Sequence, residues 1–277
     1  MQYFVSMENT SYYLWQIELL IESFKYHHLE NDLIITITEN KNPSFTGYKK
    51  NLINHKNKFV VMDFGKEHNN LRSLMWALET KNLKKPFVLM HPDMVLLNPI
   101  EEKEDNIVFN LDNLNDELKK ELSIYMKEVL KKMSIDYWFM WIPLGDTLIF
   151  DKKVPDSFFT DVYQELQLLI QKFGSKLNKI ETVAWMMAIY KHVFFDNPFD
   201  LTLKGEELEQ TLMDHNTLRN IIHYKHGIPP EFSKYHFKYE PPVTLVLNEL
   251  SPFKSIFNNN ITSSTDFLCQ LIKSYWA

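Results

Sequence analysis

The sequence predicts an α/β fold built on parallel strands, and three observations carry the prediction. Short β-branched runs of strand length alternate with helix-period apolar stripes through the first hundred residues. Strand, helix, strand in that order implies parallel crossovers. No internal repeat, long linker or sharp composition shift interrupts the pattern. One domain over residues 1–277 is therefore expected, with a C-terminal extension from about 241 to 277.

The elements follow in order. Tyr3-Phe4-Val5 reads as a first strand, and Asn9, Thr10 or Ser11 can cap a helix whose stripe is Leu14, Ile17, Ile21 and Phe24. Leu33–Thr38 and Phe59–Met62 read as strands, the first strongly β-branched. A helix around Asn70–Lys81 leads into a strand over Phe87–Met90. Asn115–Met133 carries Leu118, Leu122, Tyr125, Val129 and Met133 on one helical face. The helix after Pro155 carries Phe158, Val162, Leu166, Leu169 and Phe173, with Gly174 suited to its C-terminal cap. A last helix is expected over Lys179–His192.

Composition excludes several classes. Hydrophobic residues at 45 % and charged ones at 24 % are ordinary for a globular chain. A net charge of −6 argues against a surface built to hold nucleic acid non-specifically. Arg72 and Arg219 are the only arginines, so bidentate phosphate forks are scarce. Cys269 stands alone, which rules out an intramolecular disulfide framework and a thiolate metal site. The N-terminus lacks the basic and long apolar regions of a signal peptide, and no apolar run reaches membrane-spanning length. A cytoplasmic protein with no membrane span is the expectation.

The segment Phe87-Val-Leu-Met-His91-Pro92-Asp93 is the most informative stretch. A buried apolar run ends abruptly at two polar side chains, two residues apart, separated by a proline that forbids helix. In an extended chain positions i and i+2 face the same way, so His91 and Asp93 would converge at a strand end, where one divalent cation could bridge them. Read blandly, His-Pro-Asp is a turn between two strands. Arg219-Asn-Ile-Ile-His223-Tyr-Lys-His226-Gly is the second unusual segment: a short apolar strand brings His223 to its end, and a Gly/Pro-rich loop follows. Alone, His223 reads as a half-buried strand histidine. Beside His91 and Asp93, it supplies what an oxygen/nitrogen site for Mn²⁺ or a similar ion needs.

These pieces carry a family resemblance. Tyr12-Tyr-Leu-Trp15-Gln16 with Ser23-Phe24-Lys25 comes first. Phe87–Asp93 with Leu97-Asn98-Pro99-Ile100 follows, then Asn197-Pro-Phe-Asp200 and Ile221-Ile-His223-Tyr224 with Gly227. In that order they resemble glycosyltransferases of GT-A fold, specifically the hydroxyproline O-arabinosyltransferase and peptidyl-serine galactosyltransferase group. The likeness spans roughly residues 2 to 240, and is weak in the middle, at Leu144-Gly145-Asp146 and Ala184-Trp185. The chain departs from the pattern at His91, where an acidic residue usually stands, and no membrane anchor like that of the plant enzymes is expected.

The resemblance implies a GT-A-like, Rossmann-like nucleotide-sugar-binding fold with a mixed, mainly parallel sheet. It also implies transfer of a hexosyl or pentosyl group from a nucleotide sugar, UDP-linked, to a hydroxyl on a protein or peptide. A hydroxylated DNA base, as in viral DNA modification, and a glycan are the other acceptors considered. The expected cofactor is a divalent metal, Mn²⁺ or Mg²⁺, held by Asp93, His223 and His91. Asn9, Thr10, Trp15, Gln16 and Lys225 are the expected contacts to the donor, and Asp146 and Glu181 the candidates for base or nucleophile. The competing readings are a GT-A-fold protein that binds a nucleotide sugar without turnover, and a metal-dependent phosphohydrolase using His91, Asp93, His223 and His226.

Overall fold

The computed structural model describes residues 1–9, 11–39, 52, 54–66, 68–103, 105–110, 147–174, 180–192, 202–210 and 219–223. They belong to two compact units, one formed by Met1–Glu102 with the chain from Leu208 onward, the other by Lys103–Glu207. The predicted helix over 115–133 lies outside the described residues, as does the Asn197–Asp200 segment.

In the first unit, β1 (Gln2–Glu8), β2 (Leu33–Thr38), β3 (Lys58–Val61) and β4 (Phe87–Met90) stand in the order β3-β2-β1-β4. All three neighbouring pairs are parallel, with Tyr3 opposite Leu33, Gln2 opposite Phe87 and Ile35 opposite Lys58. Every residue of β2 is buried. A run buried throughout, with the Thr36 and Thr38 hydroxyls donating to Val5 O and Met7 O, fits a strand covered on both faces. β1 runs longer than its apolar core alone suggests, ending at Glu8.

Helix α1 (Ser11–Tyr26) buries Ile17, Leu20, Ile21 and Phe24, and Phe24 meets Tyr3 edge to face at 4.8 Å. Helix α2 (Asn69–Glu79) buries Leu71, Leu74, Met75 and Ala77. Before it, Gly65 takes φ +96°, a left-handed conformation that an L side chain rarely adopts. It closes a turn in which Gly65 N–H donates to Asp63 Oδ1 at 2.9 Å.

A second, three-stranded sheet in the same unit positions the site. It consists of β5 (Met94–Leu96), β9 (Glu209–Gln210) and β10 (Ile221–His223), ordered β5-β10-β9. β10 is antiparallel to β5 and parallel to β9, with His223 opposite Met94 and Ile221 opposite Glu209. Ser23 ties this sheet to α1: its hydroxyl donates to Leu20 O at 2.7 Å and accepts from Leu96 N–H at 3.1 Å.

In the second unit, β6 (Ile107–Asn110) pairs antiparallel with β7 (Leu148–Phe150) and parallel with β8 (Leu203–Glu206). Helices α3 (Asp156–Phe173) and α4 (Ile180–Tyr190) pack on each other. Pro155 stands at the N-cap of α3 and Gly174 at its C-cap with φ +58°, as the sequence predicts. Phe158, Val162, Leu166 and Leu169 are buried; Phe173, the last helical residue, is only half-buried and lies under Lys172 Nζ. Trp185 is a core residue, packed on Phe150, Phe158 and Phe159. The parallel pairs outnumber the antiparallel ones, so the described fold is mixed α/β and mainly parallel. No helix among the described residues is long and apolar enough to cross a membrane.

Candidate active site

β4 ends at Met90, and the chain turns at Pro92-Asp93 before β5 begins at Met94. His91 N–H closes the corner on Met94 Sδ at 3.3 Å. The corner is a turn rather than the extended stretch expected from i, i+2 spacing, because β5 leaves the main sheet to pair with β10. Asp93 therefore faces β10 instead of sharing an edge with His91.

The antiparallel register then does the rest. With His223 opposite Met94, the residue before Met94 falls beside the imidazole, and His223 Nε2 lies 3.3 Å from Asp93 Oδ1. On the other side β9 delivers Glu209, whose Oε2 lies 3.1 Å from His223 Nδ1. Asp93 is 4 % exposed, His223 2 % and Glu209 8 %. His91 is half-buried and stands off, its ring centroid 6.2 Å from that of His223.

Main-chain clamps hold the two strands in register. Asn220 O accepts from Leu97 N–H at 2.7 Å and Asn98 N–H at 3.1 Å, while the Asn98 and Asn220 amides reach across to Arg219 O and Pro99 O. Arg219 Nη1 donates to Glu209 O, and Ile221 N–H to Leu208 O, fixing β9 against β10. The Asn98-Pro99 pair that carries part of the resemblance is thus the anchor of the His223 strand.

Electrostatically the cluster is an imidazole between two carboxylates. Burial opposes a charged ring, but the hydrogen bonds to Asp93 and Glu209 and their negative charges outweigh it. The His223 pKa rises from 6.5 to about 10. Among the described residues no group of three or more His, Cys, Asp or Glu side chains is arranged to hold a metal ion. The donor set nonetheless fits a borderline divalent ion in chemistry. An imidazole and a carboxylate suit Mn²⁺, and two neighbouring ligands on one octahedral ion lie about 3 Å apart, close to the Asp93–His223 separation.

A second feature lies beyond the carboxyl ends of the same parallel sheet, where ligands of such folds bind. Glu8, Thr38, Glu39, Asp63, Lys66 and Asn69 line a hollow of about 190 Å³. Glu8 and Thr38 end β1 and β2, and Asn69 opens α2. Thr38 Oγ1 donates to Met7 O at 3.2 Å, and Asn69 Oδ1 accepts from Phe64 N–H at 2.9 Å, which fixes the floor. Asn9 follows β1 and donates its backbone N–H to Thr38 O at 3.1 Å; its Oδ1 is shielded and has no hydrogen-bond partner among the described residues.

The other sequence-predicted residues are dispersed. Gln16 is buried in α1, with Oε1 lacking a partner among the described residues. Glu181 sits half-buried in the first turn of α4, in the second unit. Thr10, Asp146 and Lys225, and the side chain of Trp15, lie outside the described residues. Sequence reasoning missed Glu209 and the lining of the hollow. Only the strand-end position of Glu8 and Thr38 signalled the latter, and nothing in Gly205-Glu-Glu-Leu-Glu-Gln210 signalled the former.

Neither a family model nor a curated protein sequence matches the chain. Among solved structures, the galactosyltransferase LgtC in complex with donor and acceptor sugar analogs superposes with a TM-score of 0.50 and 6 % identity. The match covers 100 % of this chain and 97 % of LgtC. The fold is GT-A. The bifunctional glycosyltransferase WbbM gives 0.48 at 13 % identity over 81 % of this chain, which spans only 45 % of WbbM. Glucosyl-3-phosphoglycerate synthase from Mycobacterium tuberculosis, in complex with Mn²⁺, UDP and phosphoglyceric acid, gives 0.40 at 12 % identity, covering 74 % of this chain and 67 % of the synthase.

Proposed function

We propose that this GT-A chain is a metal-dependent glycosyltransferase that moves a sugar from a UDP-linked donor to a hydroxyl acceptor. The observation that carries the reading is the buried Asp93–His223 pair, 3.3 Å apart and just beyond the carboxyl end of β4. Asp93 and His223 would hold the ion, with His91 the nearest further donor. The chemistry such an ion would supply is neutralisation of the charge on the departing diphosphate.

The acidic hollow suits the nucleoside rather than the phosphates. The carboxylates of Glu8, Glu39 and Asp63 accept from ribose hydroxyls or base N–H groups and repel an anion. Asn9, whose Oδ1 is shielded, offers one more acceptor at the end of β1, and Thr10, Trp15, Gln16 and Lys225 remain proposed donor contacts. In the transfer the bond from the anomeric carbon to the diphosphate oxygen breaks and the acceptor oxygen bonds that carbon. The acceptor proton passes to a base, for which Asp146 and Glu181 are the candidates. The relatives named by the sequence motifs point to a peptide hydroxyl as acceptor; a hydroxylated DNA base and a glycan are the alternatives, and the protein is expected to work in the cytoplasm.

One observation favours a second reading, a nucleotide-sugar binder without turnover: position 91 is His, and it stands off from the Asp93–His223 pair. Release of UDP from UDP-sugars, followed by chromatography with and without peptide, hydroxymethylated DNA and glycan acceptors, separates the two. Release that requires an acceptor supports the transferase. Saturable UDP-sugar binding with no release under any condition supports the binder.

A further inference from the structure

We propose that Glu209 is a positioning residue that sets the tautomer and ring orientation of His223, so that Nε2 is presented as a ligand on the Asp93 side. The inference rests on the metal reading above and adds to it a residue that no sequence motif marks.

Held between two carboxylates the ring carries both protons, and a divalent ion binds it only by displacing one of them, which leaves a neutral imidazole. It has one N–H and one lone pair, and the partner of one nitrogen decides which nitrogen keeps the proton. A carboxylate only accepts. Facing Asp93 alone, His223 would keep its proton on Nε2, donate it to Oδ1 and offer no lone pair on that side. Glu209 Oε2, 3.1 Å from Nδ1, holds the proton on Nδ1 instead and leaves Nε2 free to ligate. A histidine whose far nitrogen donates to a carboxylate is also a better ligand, because the ring becomes more basic.

Glu209 is built for a fixed geometry. It lies in the two-residue β9, in parallel register with Ile221, two residues along β10 from His223. Its carbonyl is held by Arg219 Nη1, and the preceding carbonyl by Ile221 N–H. At 8 % exposure the carboxylate has given up most of its water, a cost that is offset by its contact with His223. The contact with Nδ1 is thus made from a strand pinned at both of these carbonyls.

The test measures Mn²⁺ affinity by the electron paramagnetic resonance of the free ion, in the presence of UDP, for wild type, Glu209→Ala and Glu209→Gln. Melting temperatures are measured alongside. Glu209→Ala is expected to lose roughly 10- to 100-fold in Mn²⁺ affinity. Glu209→Gln keeps an acceptor for Nδ1–H without the charge, and is expected to fall between Ala and wild type. With Mg²⁺ and UDP bound, the ¹⁵N signals of the His223 ring should show Nδ1 protonated in wild type and in the Gln variant.

Wild-type Mn²⁺ affinity in Glu209→Gln and Glu209→Ala, whatever their melting temperatures, would overturn the assignment while leaving the metal site standing. So would equal losses in both, since charge alone would then explain them. If Glu209→Ala does not fold, the Gln variant decides by the same affinity and ¹⁵N readouts. Wild type that binds no Mn²⁺ with UDP present overturns the metal reading itself, and this inference with it.

Discussion

Asp93, His223 and Glu209 are almost wholly buried and hydrogen-bonded to one another, whereas Glu39, Asp63 and Lys66 around the strand-end hollow are exposed. Both groups belong to the first unit and both lie beyond the carboxyl ends of parallel strands. The cluster is assembled by ladder register from three segments far apart in sequence, and each side chain is locked by the next. The hollow is assembled from loops that follow their strands, with Thr38 and Asn69 bonded beneath it and Asp63 accepting from Gly65 N–H within its own turn. Charge that must be held at a reacting phosphate calls for preorganised, dry groups. A nucleoside far from the bond being broken can be held by wetter, adjustable ones.

That contrast breaks most sharply at Asp93. Asp93→Asn should lower Mn²⁺-dependent UDP affinity by roughly 100-fold or more, with the fold retained because His223 keeps Glu209. Circular dichroism beside the titration checks this, and an unfolded variant would make Asp93 a structural residue.

Ser23→Ala sharpens the comparison next. It leaves the buried Leu96 N–H without its acceptor, which should cost about 1–3 kcal/mol in urea unfolding. Because β5 carries the Asp93 corner, Mn²⁺ affinity should weaken with it, while the hollow is unaffected. At the hollow itself the effects should be smaller. Asp63→Asn and Lys66→Ala are expected to change UDP affinity by only about 3- to 10-fold, with no change in melting temperature because both side chains are exposed. A large loss of stability in either would contradict the view that these loops only line a seat.

The smallest expected effect is one of pH and lies away from both. Burial lowers the pKa of His55 below its ordinary 6.5, against the opposing pull of its 2.8 Å hydrogen bond to Leu33 O. The folded state therefore binds this proton less readily than the unfolded chain. The contribution of His55 is fully present above pH 6.5 and is lost as pH falls below it. Denaturant midpoints at pH 7.5 and 5.5 should differ less in His55→Gln, which keeps a donor but does not titrate, than in wild type.

Much of this architecture was legible in the residues. Leu33–Thr38 is β-branched and unbroken, and strand–helix–strand order implied the parallel sheet that β1, β2, β3 and β4 form. Asp93 and His223 stood out because each ends an apolar run with a polar side chain. Their juxtaposition was not legible, since it depends on His223 lying opposite Met94 in a ladder that closes 129 residues of chain, and local pattern carries no information on register at that range. Pro92 misled in the same way: its fixed φ suits an extended chain and a turn equally, and tertiary pairing of β5 decided for the turn. Glu209 was hidden because an acidic stretch such as Glu206-Glu207-Leu208-Glu209 reads as solvated surface until β10 is placed beside it.

The central claim is that Asp93 and His223 hold a divalent ion against a nucleoside diphosphate. Calorimetric titration of the full chain with UDP, with and without Mn²⁺, in wild type and Asp93→Asn, addresses it most directly. The account predicts binding that strengthens with Mn²⁺ in wild type and loses that dependence in the variant. UDP binding of equal affinity with and without Mn²⁺, unchanged by Asp93→Asn, would contradict it.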